Sequence, residues 1–349
     1  MTIPLGLSFD DVLLIPQLTP LASRSLADTA GWITPALKLK IPFLSANMDT
    51  VTGVKMAVAL GKLGGLGVIH QFQSIGREAG EVSQAKKSLG KLPAAAAVGV
   101  NGLQDRAAAL VAAGVNLLVV DAAHGHSPMV ADAVRILKRL YPKMPVLAGN
   151  IATKAGAEYL IASGADAVKV GVGPGSVCTT RVVTGAGVPQ FSAILAVKSA
   201  IGKKRIGLVA DGGIKQPGDV VKALAAGATC VMSGNIFAGA AETPGRIVVK
   251  NGKKYKQYRG SSTMAAAEDR WRRGDVKNTA DQWSRVEGVE ALVAYQGPLA
   301  PIIERYLGGL RSGMSYGGAR NLAELQKNAR FIRITPASLR ESHPHNVII

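Results

Sequence analysis

Residues 171–181 read Gly-Val-Gly-Pro-Gly-Ser-Val-Cys-Thr-Thr-Arg, a glycine-rich turn that ends on a cysteine flanked by hydroxyls and a cation. Gly171, Gly173 and Gly175 let the backbone approach a ligand closely and turn its amides inward. Cys178, once ionised, supplies a nucleophile able to form a covalent intermediate. The bland alternative is a buried structural thiol, which is how Cys230, inside an apolar run, reads. The glycines and hydroxyls around Cys178 favour the nucleophile.

Something must hold this loop. It follows Ala167-Val168-Lys169-Val170, an apolar run that predicts a short buried strand. Segments 109–121, 159–171 and 223–234 share one design: a helical stretch, a glycine (Gly114, Gly164, Gly227) suited to a left-handed helix cap, then an apolar strand. Apolar runs at 42–45, 66–70, 96–100, 117–121, 145–150, 167–170, 207–211 and 229–232 are near-continuous, as in strands covered on both faces of a parallel sheet. Helical patterns at 55–63, 105–113, 129–140, 155–162 and 218–226 fall between them. Eight such units predict a (β/α)8 barrel, whose chemistry sits where strands end and loops begin. A Rossmann fold is disfavoured, because no Gly-x-Gly-x-x-Gly follows the first strand.

Polar residues gather at those strand ends: Asn47 and Asp49, His70, Asp121 with His124 and His126, Asn150, the 171–181 loop, Asp211-Gly212-Gly213 and Gly234-Asn235. His124 and His126 lack a third ligand nearby and are expected to line a cofactor pocket rather than bind metal. One barrel domain over 1–349 is expected, with 240–300 as hairpin and lid and 301–349 as a C-terminal segment. Asn251-Gly252, between β-prone residues, predicts the hairpin. The charged, glycine-punctuated stretch 260–290 reads as a mobile lid.

Composition narrows the classes. Two cysteines in 349 residues exclude a disulfide framework or zinc cluster and suit a reducing cytoplasm. No leader pattern opens the chain, and no apolar run reaches the roughly 20 residues of a membrane span. A net charge of +18 suits anionic substrates such as phosphates, or non-specific contact with nucleic acid. The basic cluster from Lys250 to Lys277 has no interleaved aromatics of a base-stacking module.

Matching segments run nearly end to end and resemble the inosine 5′-monophosphate (IMP) dehydrogenases, in the superfamily that also holds GMP reductase. They are Phe9-Asp10-Asp11-Val12-Leu13-Leu14, Met48-Asp49-Thr50-Val51-Thr52, Leu63-Gly64-Gly65-Leu66-Gly67-Val68-Ile69-His70, Asp121-Ala122-Ala123-His124-Gly125-His126-Ser127, the 171–181 loop, Ala210-Asp211-Gly212-Gly213-Ile214, Tyr258-Arg259-Gly260, Gly308-Gly309-Leu310-Arg311-Ser312 and Glu341-Ser342-His343.

The resemblance implies that Cys178 attacks C2 of IMP, that hydride passes to NAD, and that the covalent xanthosine monophosphate (XMP) intermediate is hydrolysed. It makes Thr180 the catalytic threonine and Arg270 the base for the hydrolytic water, unusual for a group whose free pKa exceeds about 12. It gives phosphate and ribose to Ser176, Asp211, Gly212, Gly213, Gly234 and Asn235, backbone contacts to Tyr258, Arg259, Gly260, Ser261 and Ser262, and a place near the purine to Glu287. NAD meets Asp121, Gly171, Val172 and Gly173. A potassium ion takes carbonyls of Gly173, Gly175 and Cys178 together with Glu341, Ser342 and His343 of a neighbouring subunit, which implies a homotetramer or octamer.

The departures also carry meaning. Trp271 follows Arg270 where the dehydrogenases have tyrosine, which implies slower hydrolysis. Ser261-Ser262 replaces a Met-Gly pair, and Asn235 replaces a serine. Only a short connection, 71–95, stands where the family usually inserts regulatory CBS modules, so regulation through them is expected to be absent. GMP reductase, which deaminates GMP with NADPH, shares the cysteine loop, and Asn47 leans toward it. A non-catalytic nucleotide- or RNA-binding relative is the third reading, opposed by the retained cysteine, threonine and arginine.

Overall fold

A computed structural model describes residues 3–272 and 286–345, the side chain of Arg270 excepted. Eight parallel strands close into a barrel: β1 (Phe43–Ser45), β2 (Leu66–Ile69), β3 (Ala95–Val98), β4 (Leu117–Asp121), β5 (Val146–Ile151), β6 (Ala167–Val170), β7 (Gly207–Asp211) and β8 (Cys230–Ser233). Each pairs with the next in chain order, and β8 returns to β1 through Val231, Met232 and Ser233. The intervening helices are α1 (Val54–Lys62), α2 (Ile75–Leu89), α3 (Leu103–Ala112), α4 (Pro128–Leu140), α5 (Lys154–Ala162), α6 (Gln190–Ile201) and α7 (Pro217–Ala225), with α8 (Leu299–Tyr316) packing beside α7. The expected (β/α)8 barrel is the observed one.

Side-chain alternation divides the core in two. Leu117 and Val119 of β4 join an inner cluster with Leu44, Val68, Leu147 and Val209, while Leu118 and Val120 face the helices. Both faces are therefore dry, and the strands read as continuous apolar runs because neither face can present polar groups to water. Truncating one of these fully buried leucines would cost about 2–5 kcal/mol.

The lower mouth is plugged by a hairpin that sequence reading did not place, Gly31–Thr34 with Leu37–Leu39. Its Ile33 and Leu39 enter the inner cluster. A short antiparallel pair, Val12–Leu14 with Phe331–Arg333, ties the two ends of the chain together.

Beyond β8, the hairpin foreseen at Asn251-Gly252 is present as β9 (Ile247–Lys250) and β10 (Lys253–Arg259). Both turn residues have positive φ, 51° and 72°, the geometry Asn-Gly adopts with least strain. A third strand, β11 (Glu290–Ala294), completes an antiparallel sheet. Within the 260–290 stretch, expected as a mobile lid, residues 264–272 form a helix with Ala266 and Ala267 buried. Its alanine-rich start is a strong helix former, which the reading by charge and glycine overlooked. Residues 273–285 lie outside the described set. The 71–95 connection holds α2. Among the described residues, no helix is long and apolar enough to cross a membrane.

Candidate active site

The polar residues at the strand ends converge on one cavity of about 340 Å³ at the upper mouth of the barrel. Its wall includes Asn47 after β1, Gln71 after β2, Asp121 ending β4, Asn150 in β5, Asp211-Gly212-Gly213 at β7 and Gly234-Asn235 after β8. The loop after β6 contributes Gly171, Val172, Gly173, Gly175, Ser176, Cys178 and Thr180. Tyr258, Gly260, Ser261, Ser262 and Glu287 close it from the β10 side.

Close approach explains the glycines. Gly171 has φ of 151°, and a Cβ there would lie 2.0 Å from the Asp211 carbonyl oxygen, so only glycine lets the β6 loop lie against the end of β7. Arg181 is packed against Gly173 and Gly187, its Nε donating to the Val172 carbonyl at 3.3 Å and Nη2 to that of Val188 at 2.5 Å. A guanidinium thus staples both legs of the loop.

Cys178 is half-buried and held in place by backbone bonding. The Val289 amide donates to the Val177 carbonyl at 3.0 Å and the Thr179 amide to that of Glu287 at 3.0 Å, clasping the cysteine against Gly288. Its Sγ donates to Thr180 Oγ1 at 3.1 Å, and Thr180 donates on to Glu287 Oε2 at 2.7 Å. A thiol, a hydroxyl and a carboxylate in line can carry a proton away from sulfur. Tyr258 packs its hydroxyl against Gly234, and burial, then the charges of Asp211 and Cys178, pushes its phenol well above the ordinary range, so it stays a neutral donor.

The cavity wall also includes a residue that sequence reasoning missed. Lys169 of β6 is 3% exposed and donates to Asp211 Oδ2 at 2.9 Å, Asp121 Oδ1 at 3.1 Å and Asn150 Oδ1. Strand alternation held the signal, since Lys169 shares the inward phase of Ala167.

Other expectations fall elsewhere. Arg259 does not line the cavity with its side chain; Asp49 accepts from it at 2.6 and 3.2 Å and Asp269 at 2.7 Å, while its amide donates to Thr50 Oγ1. His124 and His126 are not among the lining residues either, and His126 packs against Tyr159 with ring centroids 5.3 Å apart. His70 is buried and its Nδ1 accepts the Phe72 amide. Arg270 belongs to the 264–272 helix, and its side chain lies outside the described residues. Glu341, Ser342 and His343 end the helix Pro336–Glu341 on the surface, away from the lining set.

The donor sets fit the groups expected of them. Among the described residues the Gly173 and Cys178 carbonyls accept no hydrogen bond and that of Gly175 takes only the Cys178 amide at 3.1 Å, leaving lone pairs for a monovalent cation. Asp121 is anchored to Lys169 through Oδ1 and accepts from Gln71 Nε2 at 3.5 Å on Oδ2, and as a cavity-lining carboxylate it keeps lone pairs for a ribose or amide proton of a dinucleotide.

Comparison with known proteins agrees with this geometry. Residues 6–345 match the family described as IMP dehydrogenase / GMP reductase domain. Inosine-5′-monophosphate dehydrogenase of Borreliella burgdorferi is 39% identical, covering 98% of this chain and 97% of that protein. The Aquifex aeolicus enzyme of the same name is 36% identical over 471 aligned positions, 99% of this chain and 96% of its own. GMP reductase of Leishmania donovani is 35% identical over 99% and 98% of the two chains. A solved GMP reductase variant from Trypanosoma brucei, in complex with guanosine 5′-monophosphate, superposes with a TM-score of 0.91 at 33% identity, covering 99% of both chains. A barrel with its cysteine loop at the upper mouth, matched along almost its whole length, makes this chain a member of the IMP dehydrogenase/GMP reductase family of oxidoreductases.

Proposed function

We propose that the protein is an IMP dehydrogenase, oxidising IMP to XMP for guanine nucleotide synthesis. The observation that carries this reading is the Cys178–Thr180–Glu287 run opening on a cavity walled by glycine amides and carboxylates. Phosphate is received by Ser176, the Gly212-Gly213 turn, Gly234 and Asn235, and the ribose hydroxyls by Asp211. Gly260, Ser261 and Ser262 add backbone contacts, and Glu287 stands beside the purine. Cys178, its proton passed to Thr180 and Glu287, adds to C2 of the base. NAD+, when bound against Asp121 and residues 171–173, accepts the hydride that leaves C2. Water then adds to the same carbon, the C–S bond breaks, and XMP leaves with the thiol restored. Arg270 is the proposed base for that water, and Trp271 beside it supplies no phenol. A potassium ion on the Gly173, Gly175 and Cys178 carbonyls, completed by Glu341, Ser342 and His343 of a second subunit in a tetramer, would hold the loop's curvature. The connection that holds α2 is too short for CBS modules, so nucleotide regulation of that type is expected to be absent.

A second reading, GMP reductase, is favoured by the Thr180–Glu287 pair, which is equally placed to protonate a departing amine beside Cys178. The Leishmania and Trypanosoma relatives bear that name. Purified protein given IMP, NAD+ and K+ should form NADH and XMP. Consumption of NADPH with GMP, and no NADH from IMP, would overturn the dehydrogenase reading, and silence in both would favour a binding protein.

A further inference from the structure

β6 carries a charge where its neighbours are apolar. Register puts Lys169 level with Gly149 and Val209, and its side chain enters the barrel and lines the cavity. Asp121 and Asp211 arrive from β4 and β7, with β5 and β6 between them around the ring, and one ammonium joins the two carboxylates. Asn150 closes the set, its Nδ2 donating to Asp211 Oδ2 at 2.9 Å and to the Gly171 carbonyl at 2.8 Å. Each carboxylate is 18% exposed and lines the cavity. One ammonium against two acids leaves the cluster with a net negative charge. Burial opposes the lysine's charge, but Asp211 and then Asp121 outweigh it and hold the ammonium protonated.

We infer that Lys169 is a positioning residue that couples the two halves of the cavity, fixing Asp211 on the nucleotide side and Asp121 on the dinucleotide side as one unit. The inference rests on the proposed assignment of those carboxylates. A ribose hydroxyl donating to Asp211 draws charge from its bond to Lys169 and strengthens the ammonium's hold on Asp121. The second ligand then meets a carboxylate already ordered, which is a coupling free energy between two sites.

The test is equilibrium binding, by calorimetry, in a Cys178→Ala background that cannot turn over. Saturating NAD+ should tighten IMP by about fivefold or more. Lys169→Met leaves two partly buried carboxylates without the cation they share, so IMP should weaken and the coupling fall to about one. Lys169→Met/Asp121→Asn removes one acid with the base. It should recover IMP affinity but not the coupling, a rescue that a purely structural lysine would not allow. If Lys169→Met fails to fold, Lys169→Gln, which keeps a hydrogen-bond donor but not the cation, should lose the coupling in the same way. Unchanged coupling in Lys169→Met or in Lys169→Gln, or a double variant no better than the single, overturns the inference. GMP with NADPH runs in parallel, since its ribose meets the same acid: coupling confined to that pair would support Lys169 while defeating the dehydrogenase reading. Failure of the Cys178→Ala protein to bind either nucleotide would overturn the cavity assignment and this inference together.

Discussion

Thr180 Oγ1 donates its single proton to Glu287 Oε2 at 2.7 Å, and so meets Cys178 Sγ, 3.1 Å away, as an acceptor. The hydrogen bonds run one way, from thiol through hydroxyl to carboxylate. Glu287→Gln preserves an acceptor for Thr180 but cannot take the proton. Turnover should fall by about 10²-fold with nucleotide affinity little changed. Alkylation of Cys178 by iodoacetamide should slow in parallel at neutral pH, and an unchanged alkylation rate would remove Glu287 from the path.

Arg259 binds two acids of unequal burial. Asp49 is 5% exposed, as is the arginine, whereas Asp269 on the 264–272 helix is 38% exposed. Arg259→Met strands a buried carboxylate and should destabilise the fold by about 3 kcal/mol. Asp269→Asn should cost less than about 1 kcal/mol, because water screens that pair. Its effect should appear in catalysis instead, as slower hydrolysis after an intact burst of NADH, since Asp269 ties the helix that carries Arg270 to the barrel. Urea denaturation and rapid-quench kinetics separate the two, and the reverse order of stabilities would refute the assignment.

Glu78 gives a pH test. Its carboxyl is fully buried on α2 beside Arg106, with Oε1 lacking a partner among the described residues. Burial pushes it up from 4.5 to about 8, with Arg106 opposing. A folded-state value above the unfolded one means that the native chain binds the extra proton. The stability contributed is full below 4.5 and is lost as pH rises toward 8. The urea midpoint should therefore decline across that window, and Glu78→Gln should flatten the slope. An equal slope in the variant would contradict the burial argument.

Trp271 is half-exposed beside Arg270 on the same helix. Trp271→Tyr restores a phenol next to the proposed base. Steady-state XMP formation should rise while the pre-steady-state rate of NADH formation stays constant, because only the water step uses that group. A parallel rise in both phases would count against it.

The sequence by itself determined the barrel and the floor plan of the site. Strands as buried as residues 117–120 cannot alternate in polarity, so they announce themselves as apolar runs, and the polar residue that ends each run must lie at the upper mouth. Cys178, Thr180, Ser176, Asp211 and Glu287 were legible for that reason or through family resemblance, and all of them line one cavity. The lower hairpin and the third strand of the β9–β11 sheet were not, since segments of three to five residues carry too little pattern to announce a strand.

Only the tertiary structure decided what the charged residues do. Arg259 follows Tyr258 directly, yet its guanidinium turns to Asp49 and Asp269, while the Tyr258 side chain lines the cavity. Lys169 sat in plain view within an apolar run, and its role depends on acids 48 residues before and 42 after it in sequence. Propensity and periodicity act over a few neighbours, whereas an ion pair is chosen by which strands the barrel brings level. That choice exists only once the ring has closed.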